Sequence, residues 1–197
     1  EIVERVEPDA DLIGVSCMFS QDWPEIRRLI GLVRERHPEV PNIAGGEHVT
    51  AVREFTLQTT PEVDACVLGE GEETLVEIAD AIDRGNGLDS FAGMLVRNGD
   101  GCRFTEPRGR IRHVDEIPSP AWDLVPIRTY LDHGLGYGVH RGRSMPMLAT
   151  RGCPYQCTFC SNPEMWTTRW YPRDPAAVLD EIESYHRTYD ATNFDFY

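Results

Sequence analysis

The sequence predicts an α/β protein. It is expected to hold a doubly wound parallel sheet at residues 1–90 and a β-hairpin with linker at 91–143. Residues 144–197 are expected to form the opening strand–helix–strand unit of a parallel, TIM-type barrel. Three observations predict this. Short apolar runs of strand length alternate with amphipathic stretches of helical period, glycine turns close successive runs, and the alternation is broken once by a hairpin signal.

Leu12 to Ser16 reads as a buried parallel strand. Asp22 is placed to cap the next helix, with Pro24 in its first turn and Ile26, Leu29, Ile30 and Val33 on its inner face, and His37-Pro38 ends it. Asn42 to Gly45 is the second strand, and Gly45-Gly46 turns the chain into a helix near Thr50 to Leu57. Asp64 to Leu68 is the third strand. Gly69-Glu70-Gly71-Glu72 then leads into a helix with Leu75, Ile78, Ala79 and Ile82 inward. Phe91 to Arg97 and Cys102 to Thr105 flank the turn Asn98-Gly99-Asp100-Gly101, which is a hairpin pattern. Residues 106–142, rich in Pro, Gly and Arg, read as a linker with one short helix at Ile127 to Asp132. Pro146 to Thr150 reads as a strand. Asp174-Pro175 caps a helix carrying Val178, Leu179, Ile182 and Tyr185, and Asn193 to Tyr197 alternates as a final strand.

Composition narrows the function. With 41% hydrophobic residues the chain can bury an ordinary globular core. The net charge of −14 argues against a broad nucleic-acid surface. All basic residues are arginine, so a Schiff-base or phosphate-loop lysine is excluded within these residues. No apolar run reaches membrane-spanning length, and the start lacks the apolar core of a signal peptide. Six cysteines in such a chain point to a reducing, cytoplasmic compartment, with Cys17 and Cys66 read as small core hydrophobes. The abrupt ends suggest a piece of a longer protein.

The most informative feature is Arg151-Gly152-Cys153-Pro154-Tyr155-Gln156-Cys157-Thr158-Phe159-Cys160. Three closely spaced thiols can hold three irons of a [4Fe–4S] cube and leave the fourth iron open to a chelating ligand. A structural zinc site is the main alternative. It would need a fourth ligand, and His140 is the nearest preceding histidine. A disulfide framework fits neither the spacing nor the compartment. A helix face of buried cysteines is disfavoured by Pro154. The motif resembles the signature of the radical S-adenosylmethionine (SAM) superfamily, Cys-x3-Cys-x2-Cys with an aromatic where Phe159 stands.

Upstream, Ser16 ends the first strand, Gly45-Gly46-Glu47-His48-Val49-Thr50 opens a helix after the second, and Gly69-Glu70-Gly71-Glu72 follows the third. In a doubly wound sheet all three lie on the carboxyl edge, where cofactors sit. Asp115-Glu116-Ile117-Pro118-Ser119-Pro120-Ala121-Trp122-Asp123 then precedes the cysteine loop. This ordering resembles the cobalamin-dependent branch of the radical SAM superfamily over nearly the whole chain. The resemblance implies that Cys153, Cys157 and Cys160 ligate a [4Fe–4S] cluster and that Phe159 packs beside SAM. It also implies that Ser16, Gly45, Gly46, His48, Gly69, Glu70 and Gly71 line a cobalamin pocket. No Asp-x-His-x-x-Gly occurs, so the resemblance names no lower axial ligand for cobalt.

The implied activity is an anaerobic methyltransferase that cleaves SAM reductively and methylates an unactivated carbon, or phosphorus, of a small molecule. Flavodoxin or ferredoxin would supply the electrons. Two other readings stay open: a non-methylating radical reaction with the same cofactors, such as oxidative tetrapyrrole cyclisation, and a non-catalytic cobalamin-binding module with a structural metal loop. Residues 1–197 alone are expected to be inactive, because most of a SAM-binding barrel would lie beyond Tyr197.

Overall fold

The computed structural model describes residues 2–88, 91–136 and 141–197, so His140 lies outside the described residues. In chain order the elements are β1 (Ile13–Ser16), α1 (Trp23–Arg36), β2 (Asn42–Gly45), α2 (Glu47–Val52), α3 (Glu54–Thr59), β3 (Ala65–Val67) and α4 (Glu72–Asp83). They continue with β4 (Met94–Asn98), β5 (Gly101–Phe104), α5 (Ile127–Asp132), β6 (Ser144–Met147), β7 (Thr150–Arg151), α6 (Asn162–Met165), β8 (Tyr171–Pro172), α7 (Pro175–Tyr189) and β9 (Asn193–Phe196). Two compact units result: Glu1–Arg110 with Tyr155–Thr168, and Ile111–Pro154 with Arg169–Tyr197. No described helix is long and apolar enough to cross a membrane.

The first unit is a mixed α/β structure on a five-stranded sheet of order β1-β2-β3-β4-β5. β1, β2 and β3 run parallel, with Ile13 opposite Asn42 and Ile43 opposite Ala65. Side chains alternate between its faces, as the pleat requires. Ala44, Cys66 and Leu95 pack on one side with Trp23 and Ile30 of α1, Val49 of α2 and Leu57 of α3. Ile43, Ala65, Val67, Met94 and Val96 pack on the other with Ile78 of α4. Helices therefore cover both faces, but the strand order is sequential, so no order reversal lies among β1–β5. The hairpin is not a free connector: β4 pairs antiparallel to β3, with Ala65 opposite Val96, and carries β5 on its outer edge. The reason is burial. Leu95 and Val96 point to opposite faces and are 0% and 2% exposed, which a lone ribbon could not achieve.

Several local expectations are corrected. Asp22 does not cap α1. It already has helical backbone as the last residue of a 3-10 turn, Ser20–Asp22, and its side chain makes no cap bond. The helix after β2 starts earlier and is broken at Arg53, whose φ of 45° ends α2 and begins α3. On α4 the inward residues are Thr74, Ile78 and Ala81 with Ile82 half-buried, while Leu75 and Ala79 are exposed. Thr74 tolerates burial because its hydroxyl donates to the Ala92 carbonyl at 3.3 Å. Cys17 and Cys66 are core residues as expected, and burial pushes the Cys66 thiol up to about 12.

In the second unit β6 and β9 pair in parallel, Ser144 opposite Asn193, joined across α7. The strand begins at Ser144 rather than Pro146, and Thr150–Arg151 forms a separate two-residue ribbon with Tyr171–Pro172. Asp174 caps α7 as expected, accepting from the Ala176 N–H at 2.9 Å. Val178, Ile182 and Tyr185 pack inward, whereas Leu179 is exposed. The Asp-Glu-Ile-Pro segment is part of this unit. The Asp115 carboxylate accepts from Arg173 Nε at 2.8 Å and from the Asp174 N–H at 2.6 Å. Arg173 also bonds Glu181, Glu181 accepts from the Tyr185 hydroxyl, and Tyr185 accepts from Trp122 Nε1 at 2.9 Å. Arg173 thus pairs with Asp115 and Glu181.

The Arg173 hydrogen bond, and then the Asp174 N–H, hold the Asp115 carboxyl below the usual carboxylate range. A depressed folded-state value stabilises fully above the unfolded value of about 4 and ceases to stabilise as pH falls through the folded value. Thermal melts of Asp115→Asn should therefore start lower at neutral pH and fall less steeply than wild type below about pH 4.

Candidate functional site

The parallel run of β1, β2 and β3 brings their carboxyl ends to one edge of the first unit. A cleft of about 370 Å³ opens there, lined by Ser16, Gly45, Gly46, Gly69, Glu70 and Gly71 among others. These are six of the seven residues singled out upstream of the cysteines. The glycines have distinct reasons. Gly46 has φ +93°, and a Cβ there would stand 2.5 Å from the Cys17 carbonyl oxygen and 2.9 Å from Ser16 Oγ. No other residue fits that contact. Gly69 has φ +70°. A Cβ on Gly45 would meet the Val67 carbonyl, and one on Gly71 the Val67 side chain, both at 3.4 Å. The edge is therefore a backbone-walled cradle open to a bulky ligand.

Thr50 explains the last position of the Gly-Gly-Glu-His-Val-Thr run. Its hydroxyl accepts from the Gly69 N–H at 3.0 Å and ties the turn after β3 to α2. Val15, Ile43, Ala44 and Val67 make the cleft's inner wall apolar, and Leu75, Met165 and Trp166 close its sides. The strand residues of the wall were legible as apolar runs, and Leu75 as an apolar residue on a helix. Its exposure becomes intelligible as part of the cleft. Met165 and Trp166 come from far along the chain, and local pattern could not bring them here. Glu70 is buried, and its carboxylate pairs with Arg110 Nε at 2.7 Å.

His48 stands apart from the lining. Its N–H donates to the Cys17 carbonyl at 3.1 Å, its ring lies 4.8 Å from the Trp23 ring, and Nδ1 shares a hydrogen bond with Ser20 Oγ at 2.8 Å. Burial lowers its pKa, which favours the neutral ring. In this position it supports the strand-end turn from behind.

The cysteine loop runs from β7 into α6. Cys153 is half-buried in the second unit, whereas Cys157 and Cys160 are exposed in the first. The Cys160 N–H donates to the Cys157 carbonyl at 3.0 Å, and Phe159 is 91% exposed. Among the described residues no three His, Cys, Asp or Glu side chains converge as a ready metal site. The donor set itself, three thiols in one short loop, is the chemistry that an iron–sulfur cube takes. In the first unit α6 is held to α2 by Ser161 Oγ donating to Glu47 at 2.8 Å and by the Arg53–Glu164 ion pair at 2.8 Å.

The chain is similar to several known proteins. The B12 binding domain family matches residues 1–79. An uncharacterized methyltransferase of Pyrococcus horikoshii is 31% identical over 196 residues, covering 100% of this chain and 40% of that protein. The anaerobic magnesium-protoporphyrin IX monomethyl ester cyclase of Synechocystis is 32% identical over 199 residues, covering 99% of this chain and 38% of that protein. The chain thus spans about two fifths of the length of these relatives. Among solved structures, the radical S-adenosylmethionine methyltransferase TsrM of Kitasatospora setae, with cobalamin and a [4Fe–4S] cluster bound, aligns with a TM-score of 0.68. That alignment has 22% identity and covers 94% of this chain and 37% of that one, a likeness of fold.

Gly46→Ala should cost about 1–3 kcal/mol of stability from backbone strain and the Cys17 contact. Gly71→Ala, whose Cβ meets only ordinary contacts, should cost distinctly less. Urea unfolding of both variants measures the difference.

Proposed function

We infer that this chain, which belongs to the cobalamin-dependent radical SAM family, seats cobalamin in the cleft above β1–β3 and carries the cluster ligands of a radical SAM enzyme. The observation that carries this reading is the glycine-walled cleft within a B12 binding domain match. Glycines at 45, 46, 69 and 71 let a bulky corrin tail lie against the backbone, and the apolar inner wall keeps water from it. The six lining residues, Ser16, Gly45, Gly46, Gly69, Glu70 and Gly71, would hold the cofactor. His48 would hold the turn that forms the wall, with Thr50 fixing the opposite lip.

Cys153, Cys157 and Cys160 would ligate a [4Fe–4S] cluster, and Phe159 would flank SAM at the iron left open. When bound, these cofactors supply reductive cleavage of SAM and a transferable methyl group. The part played by the chain is to position them and exclude water. The β6–α7–β9 crossover is read as the first βαβ unit of the SAM-binding barrel, with the cysteine loop at the carboxyl side of its first strand. Domain limits of 1–90, 91–143 and 144–197 are proposed on the motif order. The hairpin nevertheless pairs into the first sheet.

The activity proposed for the whole protein is methylation of an unactivated carbon or phosphorus centre in a small molecule, under anaerobic conditions with a flavodoxin- or ferredoxin-type electron donor. The relative described as a methyltransferase supports it. A second reading, oxidative cyclisation of a tetrapyrrole without methyl transfer, has support from the cyclase at 32% identity.

Anaerobic reconstitution of the full-length protein with iron, sulfide and hydroxocobalamin should give a coloured protein with cubane and corrin absorbance. Cys157→Ala should lose the cubane band and keep the corrin. A zinc-replete protein that takes up corrin but shows no cubane band after every loading attempt would instead indicate a cobalamin-binding module with a structural metal loop. With methyl-labelled SAM, label in the product marks a methyltransferase. Label absent from product while 5′-deoxyadenosine accumulates marks the cyclase-type reaction.

A further inference from the structure

The cleft is closed on one side by residues that follow Cys160, and Arg110 joins them to Glu70 in its lining. Arg110 Nε donates to Glu70 Oε2 at 2.7 Å. The guanidinium carbon lies 5.4 Å from the centroid of the Trp166 ring, and Nη1 reaches Thr167 Oγ1 at 3.4 Å. The Glu70 side chain is 2% exposed and that of Arg110 is 11%. Trp166 and Met165 line the cleft beside Glu70, and the Met165 carbonyl lies 3.9 Å from where a Cβ on Gly69 would stand.

Two ties of this segment to α2 are of a weaker kind. The Arg53 and Glu164 side chains are 44% and 62% exposed, so solvent screens their ion pair. The Ser161–Glu47 bond is also exposed. Removing Arg110, by contrast, takes a charged partner from a carboxylate whose side chain is only 2% exposed, where solvent screens little. The planar guanidinium does two things at once: an edge bonds Glu70 while a face lies over Trp166. A lysine cannot reproduce both.

We propose that Arg110 is a positioning residue: through Glu70 and Trp166 it clamps the segment 155–168, which carries Cys157 and Cys160, to the wall of the cofactor cleft. Order in the cysteine-bearing segment and retention of the cleft's ligand are thereby coupled. The clamp is a property of the protein without ligand. Only the coupling to retention rests on cobalamin as the occupant.

The test uses the full-length protein as wild type, Arg110→Ala, Arg110→Lys and Arg53→Ala. Limited chymotrypsin digestion without cobalamin reads the rate of cleavage between Tyr155 and Thr168. Absorbance titration with hydroxocobalamin reads retention. Loss of one partner of a buried charge pair should speed cleavage of Arg110→Ala by about tenfold or more and weaken cobalamin binding by a similar factor. Arg110→Lys should fall between it and wild type, and Arg53→Ala should change cleavage by about twofold at most. Hydroxocobalamin should slow wild-type cleavage. Should Arg110→Ala fail to fold by circular dichroism, Arg110→Lys decides. Cleavage of the arginine variants at the wild-type rate overturns the clamp, and weakened binding with unchanged cleavage overturns the coupling. A wild type that takes up no cobalamin overturns the cofactor reading alone, while the cleavage rates still judge the clamp.

Discussion

The first unit depends on one close approach of backbone to backbone. At the carboxyl end of β2 the chain must turn sharply enough for Gly46 to lie against the Cys17 carbonyl, with no room for a Cβ. The His48 N–H bonds that same carbonyl, and the Cys17 N–H bonds the Gly45 carbonyl at 2.9 Å. These contacts join β1 to α2 directly, so the first two strand ends form one surface. Thr50 adds the third by accepting from Gly69. The cleft is what remains above three strand ends that have been drawn together and stripped of side chains.

Charge arrangement follows from the same economy of space. The chain carries a net charge of −14, yet the acid at the cleft wall, Glu70, is neutralised by a buried partner. In the second unit Asp115 and Glu181 share Arg173 in the same way, and Tyr185 and Trp122 extend the network through neutral hydrogen bonds. Glu70 is the buried acid of these three, Glu181 is half-buried and Asp115 exposed, and in each case the arginine's fork of donors meets the carboxylate. Arg97 does similar work on carbonyls, bonding those of Leu57, Thr60 and Val63 where α3 ends.

The misreadings are instructive because each has a physical cause. Asp22 has the chemistry of a cap but sits inside a 3-10 turn that already supplies helical backbone. Leu75 and Leu179 are apolar, yet the buried face of α4 is turned toward Thr74, whose hydroxyl found a carbonyl, and that of α7 toward Val178 and Tyr185. Period alone assigns a face only to within a residue. The hairpin was legible from Asn98-Gly99, but its pairing partner was not, because antiparallel addition to β3 is decided by the burial of both faces of β4.

What the linear sequence determined was where the parts of the candidate sites begin: three thiols at fixed spacing, glycine turns after apolar strands, and an alternation of strand and helix. These are local, since each rests on residues within a few positions of one another. Tertiary structure alone decided that Met165 and Trp166 belong to the cleft, that Arg110 pairs with Glu70 of its lining, that His48 stands behind its wall, and that the hairpin completes the sheet. Such relations depend on which buried charges and apolar faces find partners far along the chain, and no local period records that choice.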